Sequence, residues 1–285
     1  MSGSLPGPRP VPGPVRPEPG PGARAPGGAP PAPSLGNQRW PRVAEERPLL
    51  LVPVGSTEQH GPHLPLATDA MIAHAVAGQA AVHLLGEGRT VRVAPTIGYG
   101  ASGEHEDFAG TISIGQDVLC AMLVEVGRSA CRWAEGLVFV NGHGGNAVPL
   151  VRAVRQLRAE SRAVAWTACD LPDADAHAGR TETSLLQHLA PWAVRGDLAE
   201  KGNTRPVQDL MPRLRSEGVR AVSANGVLGD PTTSTPELGR TLFATLVGNL
   251  VAEIHRLDVD DHGRLTRGTP RTTLARARPA RTAAR

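Results

Sequence analysis

The side chains best suited to chemistry lie in one short segment, residues 53–69, between an apolar run and a helical one. Glu58 and His60 are two residues apart, which points both side chains to the same side of an extended backbone. Asp69 closes the segment, and His63 lies between. Carboxylates with imidazoles are the ligand set that suits Zn²⁺, Mn²⁺ or Fe²⁺. The segment therefore predicts a metal site with Glu58, His60 and Asp69 as ligands, and His63 is expected to support them or face the substrate.

Two plainer interpretations apply to this segment. Asp69 stands just before a helical run, where an aspartate could cap the helix or bind a cation. The whole segment could also be a polar loop that joins a strand to a helix.

A second candidate is the turn 141–146, Asn-Gly-His-Gly-Gly-Asn, which places His143 directly after an apolar run. Its glycines permit positive φ angles and close backbone approach. The turn could hold a metal ligand, or bind an anion through backbone N–H groups. It could also be a structural turn with a surface histidine.

A third segment, residues 173–183, supplies His177 and Glu182. Glu182 stands at a predicted helix start, where it could simply complement the helix dipole. Taken with the other two segments, these residues give three carboxylates and three histidines. That number is sufficient for a two-metal hydrolytic site.

The elements that must position these residues alternate along the chain. Apolar runs predict strands, and apolar residues at helical spacing predict helices. Strands are predicted over 49–54, 91–95, 137–140 and 164–169, a short edge strand over 111–114, and helices over 70–85, 116–133, 147–160, 182–189 and 235–257. Residues 199–236 look rich in loops. The alternation predicts an α/β fold with a mainly parallel sheet covered on both faces, and ligands bind beyond the carboxyl ends of such strands.

The two ends of the chain differ in composition from the middle. Residues 1–34 hold 12 of the 27 prolines, and residues 264–285 carry seven arginines and no acidic residue. Such segments cannot pack a core. We expect a folded domain over residues 38–262 between disordered tails at 1–37 and 263–285.

The charge and the cysteines narrow the class of protein. The net charge is +3, but residues 1–38 carry +2 and residues 264–285 carry +7, which leaves −6 for the rest. An acidic domain argues against nucleic-acid binding. The cysteines at 120, 131 and 169 form no C-x-x-C pair, which suits a reducing cytoplasm. No run is long enough to span a membrane, and the N-terminus has no signal-peptide pattern.

Four ordered motifs resemble those of the creatininase family, and the resemblance covers roughly residues 48–257. The motifs are Gly-Ser-Thr-Glu-Gln-His-Gly-Pro-His-Leu-Pro-Leu-Ala-Thr-Asp at 55–69, Gly-Glu-His at 103–105 with Gly-Thr-Ile-Ser at 110–113, Asn-Gly-His-Gly-Gly-Asn at 141–146, and His-Ala-Gly-Arg-Thr-Glu-Thr-Ser at 177–184. This resemblance implies a three-layer α/β/α fold and a metal-dependent hydrolase of C–N bonds.

The family pattern implies roles for individual residues. Glu58 and His60 match the first two ligands, Asp69 matches the carboxylate that bridges two metals, and His143 matches the ligand in the glycine turn. Creatininase has a further glutamate ligand two residues after that histidine, where this chain has Gly145. Glu182 is the candidate to replace it. His177 matches the position that handles protons.

The resemblance also implies a substrate and partners. Within the family, the motifs of this sequence are most similar to those of the branch that removes a C-terminal Val-Tyr dipeptide from a radical-modified ribosomal precursor peptide. It implies two divalent metals per chain, Fe²⁺ or Zn²⁺ with Mn²⁺ as a further option, and a hexamer. The alternatives are an amidohydrolase of a cyclic or small-molecule amide, and a metal-stabilised peptide-binding protein without activity.

Overall fold

A computed structural model describes residues 33–267. Its centre is a sheet of four parallel strands: β1 (Leu49–Val54), β2 (Val91–Val93), β3 (Gly136–Asn141) and β4 (Val164–Ala168). The strand order is β2-β1-β3-β4. Leu51 pairs with Val93 on one side and with Val138 on the other. All four predicted main strands are therefore present, and their carboxyl ends meet at one edge.

The strands form where the sequence is mainly apolar, because both faces of the sheet are covered. The exception in β2 is Arg92, which is buried and forms an ion pair with Glu46. In β1, Leu49 and Leu51 pack into one core cluster, while Leu50 and Val52 pack into the other. All six residues of β1 are buried.

The described residues form seven α-helices. They are α1 (Trp40–Glu46), α2 (Thr68–Gly86), α3 (Gly115–Ala130), α4 (Ala147–Ala159), α5 (Arg180–Leu189), α6 (Val207–Glu217) and α7 (Pro236–Arg256). The first core cluster packs α2, α5 and α7 on one face, and the second packs α3 and α4 on the other. The predicted three-layer α/β/α fold with a parallel sheet is confirmed. The predicted start of α7 is also correct, since the Thr235 hydroxyl caps it and Pro236 follows.

One helix was missed within a segment predicted to be loop-rich, and one strand prediction is wrong. The segment predicted to be loop-rich, 199–236, contains α6, whose Leu210 and Leu214 pack in a small separate cluster with Val219 and Leu228. The predicted edge strand over 111–114 is not a strand. It makes only isolated bridges, from Ile112 to Thr57 and from Ser113 to Gly100.

Among the described residues, contacts with the folded part reach beyond the predicted limits of 38 and 262. At the N-terminal side, the carbonyl of Pro33 accepts a hydrogen bond from the Val93 N–H. At the C-terminal side, Leu265 is 2% exposed, and its N–H donates to the Trp166 carbonyl across the open edge of β4. Residues 33–37 and 263–267 therefore belong to the folded part. The remainder of both predicted tails lies outside the described residues.

We expect Leu265→Ala to lower the free energy of unfolding by about 2–5 kcal/mol, the usual cost of emptying a buried leucine site. Leu198→Ala is the matched control, because Leu198 is 40% exposed. That change should cost less than about 0.5 kcal/mol. Urea unfolding of both variants measures the difference, and equal values would mean that residues 263–267 add no stability.

Within residues 33–267, every helix is too short or too polar to cross a membrane.

Candidate metal centre

Loops from three strand ends and the first turn of α2 converge at the carboxyl edge of the sheet. Glu58 and His60 follow β1, His143 follows β3, and His177 follows β4. The structure brings all six predicted site residues into one cluster: Glu58, His60, Asp69, His143, His177 and Glu182. Five of the six are buried, and the Glu182 side chain is 21% exposed.

Asp69 lies at the centre of this cluster. One carboxylate oxygen is 3.1 Å from His60 Nε2, and the other is 3.2 Å from His143 Nδ1 and accepts a 2.5 Å hydrogen bond from Ser56 Oγ. The N-cap of α2 is Ala67, and no side chain caps the helix. The structure therefore excludes the cap interpretation of Asp69, whose side chain turns into the cluster instead.

Three groups of side chains could each hold a cation. Within each group the ligand atoms lie within 4.8 Å of one another. The groups are Glu58, Asp69 and His143; His60, Asp69 and Glu182; and Glu58, His60 and His177. Asp69 belongs to the first two groups, so this carboxylate is placed to be shared between neighbouring cations.

The buried carboxylate of Glu58 fits a bound cation. Glu58 has no exposed surface, and neither of its oxygens has a hydrogen-bond partner of normal geometry. A buried charge without compensation is very costly. A divalent cation with oxygen and nitrogen ligands would remove that cost, and the set of donors at this site is the one such cations prefer.

The ionisation of the site agrees with this assignment. Burial opposes the charge of Glu58, but the neighbouring His143 outweighs it and lowers the Glu58 pKa to about 2. Burial similarly disfavours a charge on His60, yet Asp69 raises the His60 pKa to about 10. Glu58 and Asp69 therefore stay charged and hold protons on His60 and His143. Those protons occupy the atoms that a metal would bind, so metal binding must release them.

Three histidines turn one particular nitrogen toward the cluster. His60 Nδ1 donates to the Glu58 carbonyl at 3.2 Å, His143 Nε2 to the Ala101 carbonyl at 3.2 Å, and His177 Nε2 to the Gln59 carbonyl at 2.8 Å. A backbone carbonyl on the far nitrogen fixes the ring and leaves the near nitrogen available for a metal or a proton. The near nitrogens are therefore His60 Nε2, His143 Nδ1 and His177 Nδ1.

The turn that carries His143 is held by its two asparagines. Asn141 Nδ2 donates to the His143 carbonyl at 2.7 Å, and Asn146 Nδ2 donates to the Gly55 carbonyl at 2.9 Å. None of the turn's glycines adopts a positive φ angle. The glycines are needed for close approach, since a Cβ on Gly142 would lie 2.5 Å from the Asp69 carbonyl oxygen.

Glu182 sits in the first turn of α5. One of its carboxylate oxygens accepts a 2.6 Å hydrogen bond from the Ala178 N–H and lies 3.8 Å from His60 Nε2. Burial raises the Glu182 pKa to about 7, although His60 opposes the shift. Beside it, His63 Nε2 lies 2.8 Å from the Thr183 hydroxyl. His63 is thus placed behind the cluster, as a supporting group.

Sequence reasoning gave no role to three residues that the structure adds to the site. His105 Nε2 lies 3.3 Å from a Glu58 oxygen, and Glu104 lies 3.6 Å from His143 Nε2. The Gln59 amide lies between His105 and His177. The available signal was the Gly-Glu-His motif after β2, which follows the remaining strand end of the same sheet edge.

The space beside Gly145 explains why a glutamate ligand is absent there. A Cβ at this position would lie 2.4 Å from the Ala101 carbonyl oxygen, 2.5 Å from His143 Nε2 and 2.8 Å from a Glu104 oxygen. The loop that carries Glu104 therefore occupies the volume that a side chain at 145 would need.

We expect Gly145→Ala to reduce kcat by about 100-fold, because even a 1 Å displacement of a catalytic group has an effect of that size. Gly144→Ala is the control, since a Cβ there meets no atom within 4 Å. Its kcat should stay within about twofold of the parent. Steady-state kinetics of both proteins test the idea, and equal rates would show that the contact with Ala101 does not position His143.

Comparisons with known proteins agree with the fold and the site. The creatininase family model, described as creatinine amidohydrolase, matches residues 36–254. The mycofactocin precursor peptide peptidase of Mycolicibacterium smegmatis is 55% identical over 221 residues, which cover 77% of this chain and 89% of that protein.

Two solved structures are also similar. One, described as creatininase with Mn, has a TM-score of 0.66 and 26% identity, and the match covers 79% of this chain and 98% of the other. A creatininase mutant described as the Zn-Zn type has a TM-score of 0.66 and 25% identity. The match covers 79% of this chain and 97% of the mutant. Since the family model spans most of the chain and the ligand-type residues converge at the sheet edge, this chain belongs to the creatininase family of metal-dependent hydrolases that act on C–N bonds.

Proposed function

We propose that this chain is a peptidase that removes the C-terminal Val-Tyr dipeptide from the modified mycofactocin precursor peptide. The observation that carries the proposal is the 55% identity to a protein with that substrate in its name, over 89% of that protein's length. The buried cluster of carboxylates and histidines supplies the means of hydrolysis.

The cluster is suited to two divalent cations per chain. In the proposed arrangement, Glu58, Asp69 and His143 hold one cation, and His60, Asp69 and Glu182 hold the other. Asp69 is the shared ligand. Zn²⁺, Fe²⁺ and Mn²⁺ all suit this mixture of oxygen and nitrogen donors. In this arrangement Glu182 replaces the glutamate that Gly145 excludes.

Bound cations would supply a polarised carbonyl and a water of lowered pKa. The chain itself must move the proton, and His177 Nδ1 is placed for that task. Burial, with His60 and His105 nearby, lowers the His177 pKa well below its usual value, so the ring is neutral. Its Nε2 proton is held by the Gln59 carbonyl, which leaves Nδ1 free to accept a proton. The same atom then protonates the leaving amine, since one group can act as base and then as acid.

The substrate must reach the cluster from the side where the site is open. The Glu104 and Glu182 side chains are 33% and 21% exposed, whereas those of Glu58 and Asp69 are 0% and 2% exposed. We infer that the scissile peptide bond enters between Glu104 and Glu182.

Mass spectrometry of the modified precursor peptide, incubated with metal-loaded protein, tests this function. The expected result is the loss of Val-Tyr from the C-terminus. Small cyclic amides in parallel reactions test the amidohydrolase alternative. Bound metal and bound peptide without any cleavage would instead support a binding protein and contradict the proposed activity.

We further propose that the chain acts in the cytoplasm as a hexamer, with residues 38–262 as the essential catalytic core and the extreme ends dispensable. In agreement with a reducing compartment, the three cysteines are free thiols, and burial raises the Cys169 pKa to about 12, which leaves that thiol unreactive.

The hexamer is tested separately. Light scattering of active protein gives the assembly size, and a monomer mass would contradict the hexamer.

A further inference from the structure

The orientation of the Gln59 side-chain amide is fixed by the backbone. Its Oε1 accepts a 2.9 Å hydrogen bond from the Gly61 N–H, and its Nε2 donates to the Gly226 carbonyl at 3.1 Å. Exchanging the oxygen and the nitrogen would break both bonds. The second amide proton is therefore left for another acceptor.

That acceptor is His105 Nδ1, which lies 2.8 Å from Gln59 Nε2. His177 Nε2 is 3.1 Å away, but it carries the proton that it donates to the Gln59 carbonyl, so it cannot accept. A neutral imidazole with an acceptor Nδ1 has its proton on Nε2. His105 Nε2–H therefore faces the site.

His105 thus differs from the other three histidines of the cluster. They place their far N–H groups on backbone carbonyls, so that with a cation bound each would turn a lone pair inward. His105 has an amide donor behind it and turns an N–H inward, 3.3 Å from Glu58 Oε1. The other oxygen, Glu58 Oε2, lies 3.2 Å from His143 Nδ1, on the side of the first candidate cation group.

We propose that His105 is a positioning residue for Glu58, held in the Nε2–H tautomer by Gln59. Its N–H faces Oε1 from 3.3 Å, and this attraction orients the carboxylate so that Oε2 is presented to the cation. Partners of this kind, one step behind a ligand, contribute about 10- to 100-fold to metal affinity or activity. The inference rests on the proposed ligand role of Glu58 and not on the identity of the substrate.

The loop that contains Gly226 packs directly against the Gln59 amide. Gly226 has a φ angle of +78°, and a Cβ on it would lie 2.0 Å from Gln59 Oε1. Only glycine combines that backbone angle with so close an approach. The loop from 223 to 229, far from Gln59 in sequence, is thus built around this amide.

Zinc affinity, measured by competition with a chromophoric chelator on the whole chain, tests the proposal. We expect His105→Leu and Gln59→Leu each to weaken Zn²⁺ binding by about 10- to 100-fold. His105→Gln retains an N–H near the Nε2 position and should bind within about threefold of the parent. His74→Leu is the control, since His74 is exposed, and its affinity should not change. Unchanged affinity in His105→Leu would overturn the proposal, as would equal losses in the Leu and Gln variants.

A second measurement reads the tautomer directly and needs no change at Gln59. Solid-state ¹⁵N NMR of the zinc-loaded, histidine-labelled protein should show His105 with a protonated Nε2 and a bare Nδ1. The signal is assigned by its absence from His105→Gln. A proton on Nδ1 would contradict the proposal. If the precursor peptide is not cleaved, the proposed function fails, but the affinity and tautomer results still decide this inference.

Discussion

Replacing Asp69 with asparagine is expected to abolish turnover and to remove most of the bound divalent metal. Asp69 is the carboxylate shared by two of the three candidate cation groups, and it faces both His60 and His143 at 3.1–3.2 Å. Asparagine has nearly the same shape but only one acceptor oxygen and no charge. Neither cation group would then retain its full set of ligands.

The fold should survive this change. Ser56 and the two histidines can still contact the amide, and Asp69 belongs to neither of the two main core clusters. Metal analysis, a peptide cleavage assay and circular dichroism together test the expectation. Asp117→Asn is the matched control, because that side chain is 88% exposed on α3, and it should leave all three measurements unchanged.

The other ligand changes should behave in the same way. Glu58→Gln, His60→Ala and His143→Ala are each expected to eliminate turnover in a folded chain, because each removes a donor from a candidate cation group. A fully active His143→Ala protein would be incompatible with the site described here.

The second large expected effect is a difference in phenotype between variants of His177 and of Glu182. We expect His177→Ala to lower kcat by about 10²–10⁴-fold while metal content stays normal, since a general acid–base group contributes that much. The loss should appear in kcat more than in KM, because the proton moves only as the bond to the leaving nitrogen breaks. Glu182→Gln should lower both metal occupancy and rate, because Glu182 belongs to a cation group with His60 and Asp69.

The opposite assignment makes a distinct prediction. His177 also belongs to a candidate cation group, with Glu58 and His60, and its Nδ1 lies 3.7 Å from Glu58 Oε1. If His177 were a ligand and Glu182 only complemented the helix dipole, the two variants would exchange their phenotypes. Metal analysis of both proteins decides, and normal metal content in Glu182→Gln would exclude Glu182 as a ligand.

The local sequence was sufficient to predict the fold class and six residues of the cluster. Most strand residues are apolar because both faces of the sheet are buried, and that pattern needs no tertiary information. In a parallel sheet the carboxyl ends of the strands share one edge, so polar motifs after the strands had to lie near one another. The Glu58–His60 spacing and the glycine turn around His143 then indicated ligands.

Tertiary structure alone decided which nitrogen of each histidine faces the site and what supports it. Those properties depend on partners far away in sequence, such as Gly226 for the Gln59 amide and Gln59 for His105. The helix α6 was missed because its few apolar residues pack only on one small cluster. The burial of Leu265, beyond the predicted limit of 262, was missed because a single buried leucine in an arginine-rich segment has no periodic pattern. Such contacts are set by the way loops pack across the sheet edge, and the spacing of residues along the chain does not encode them.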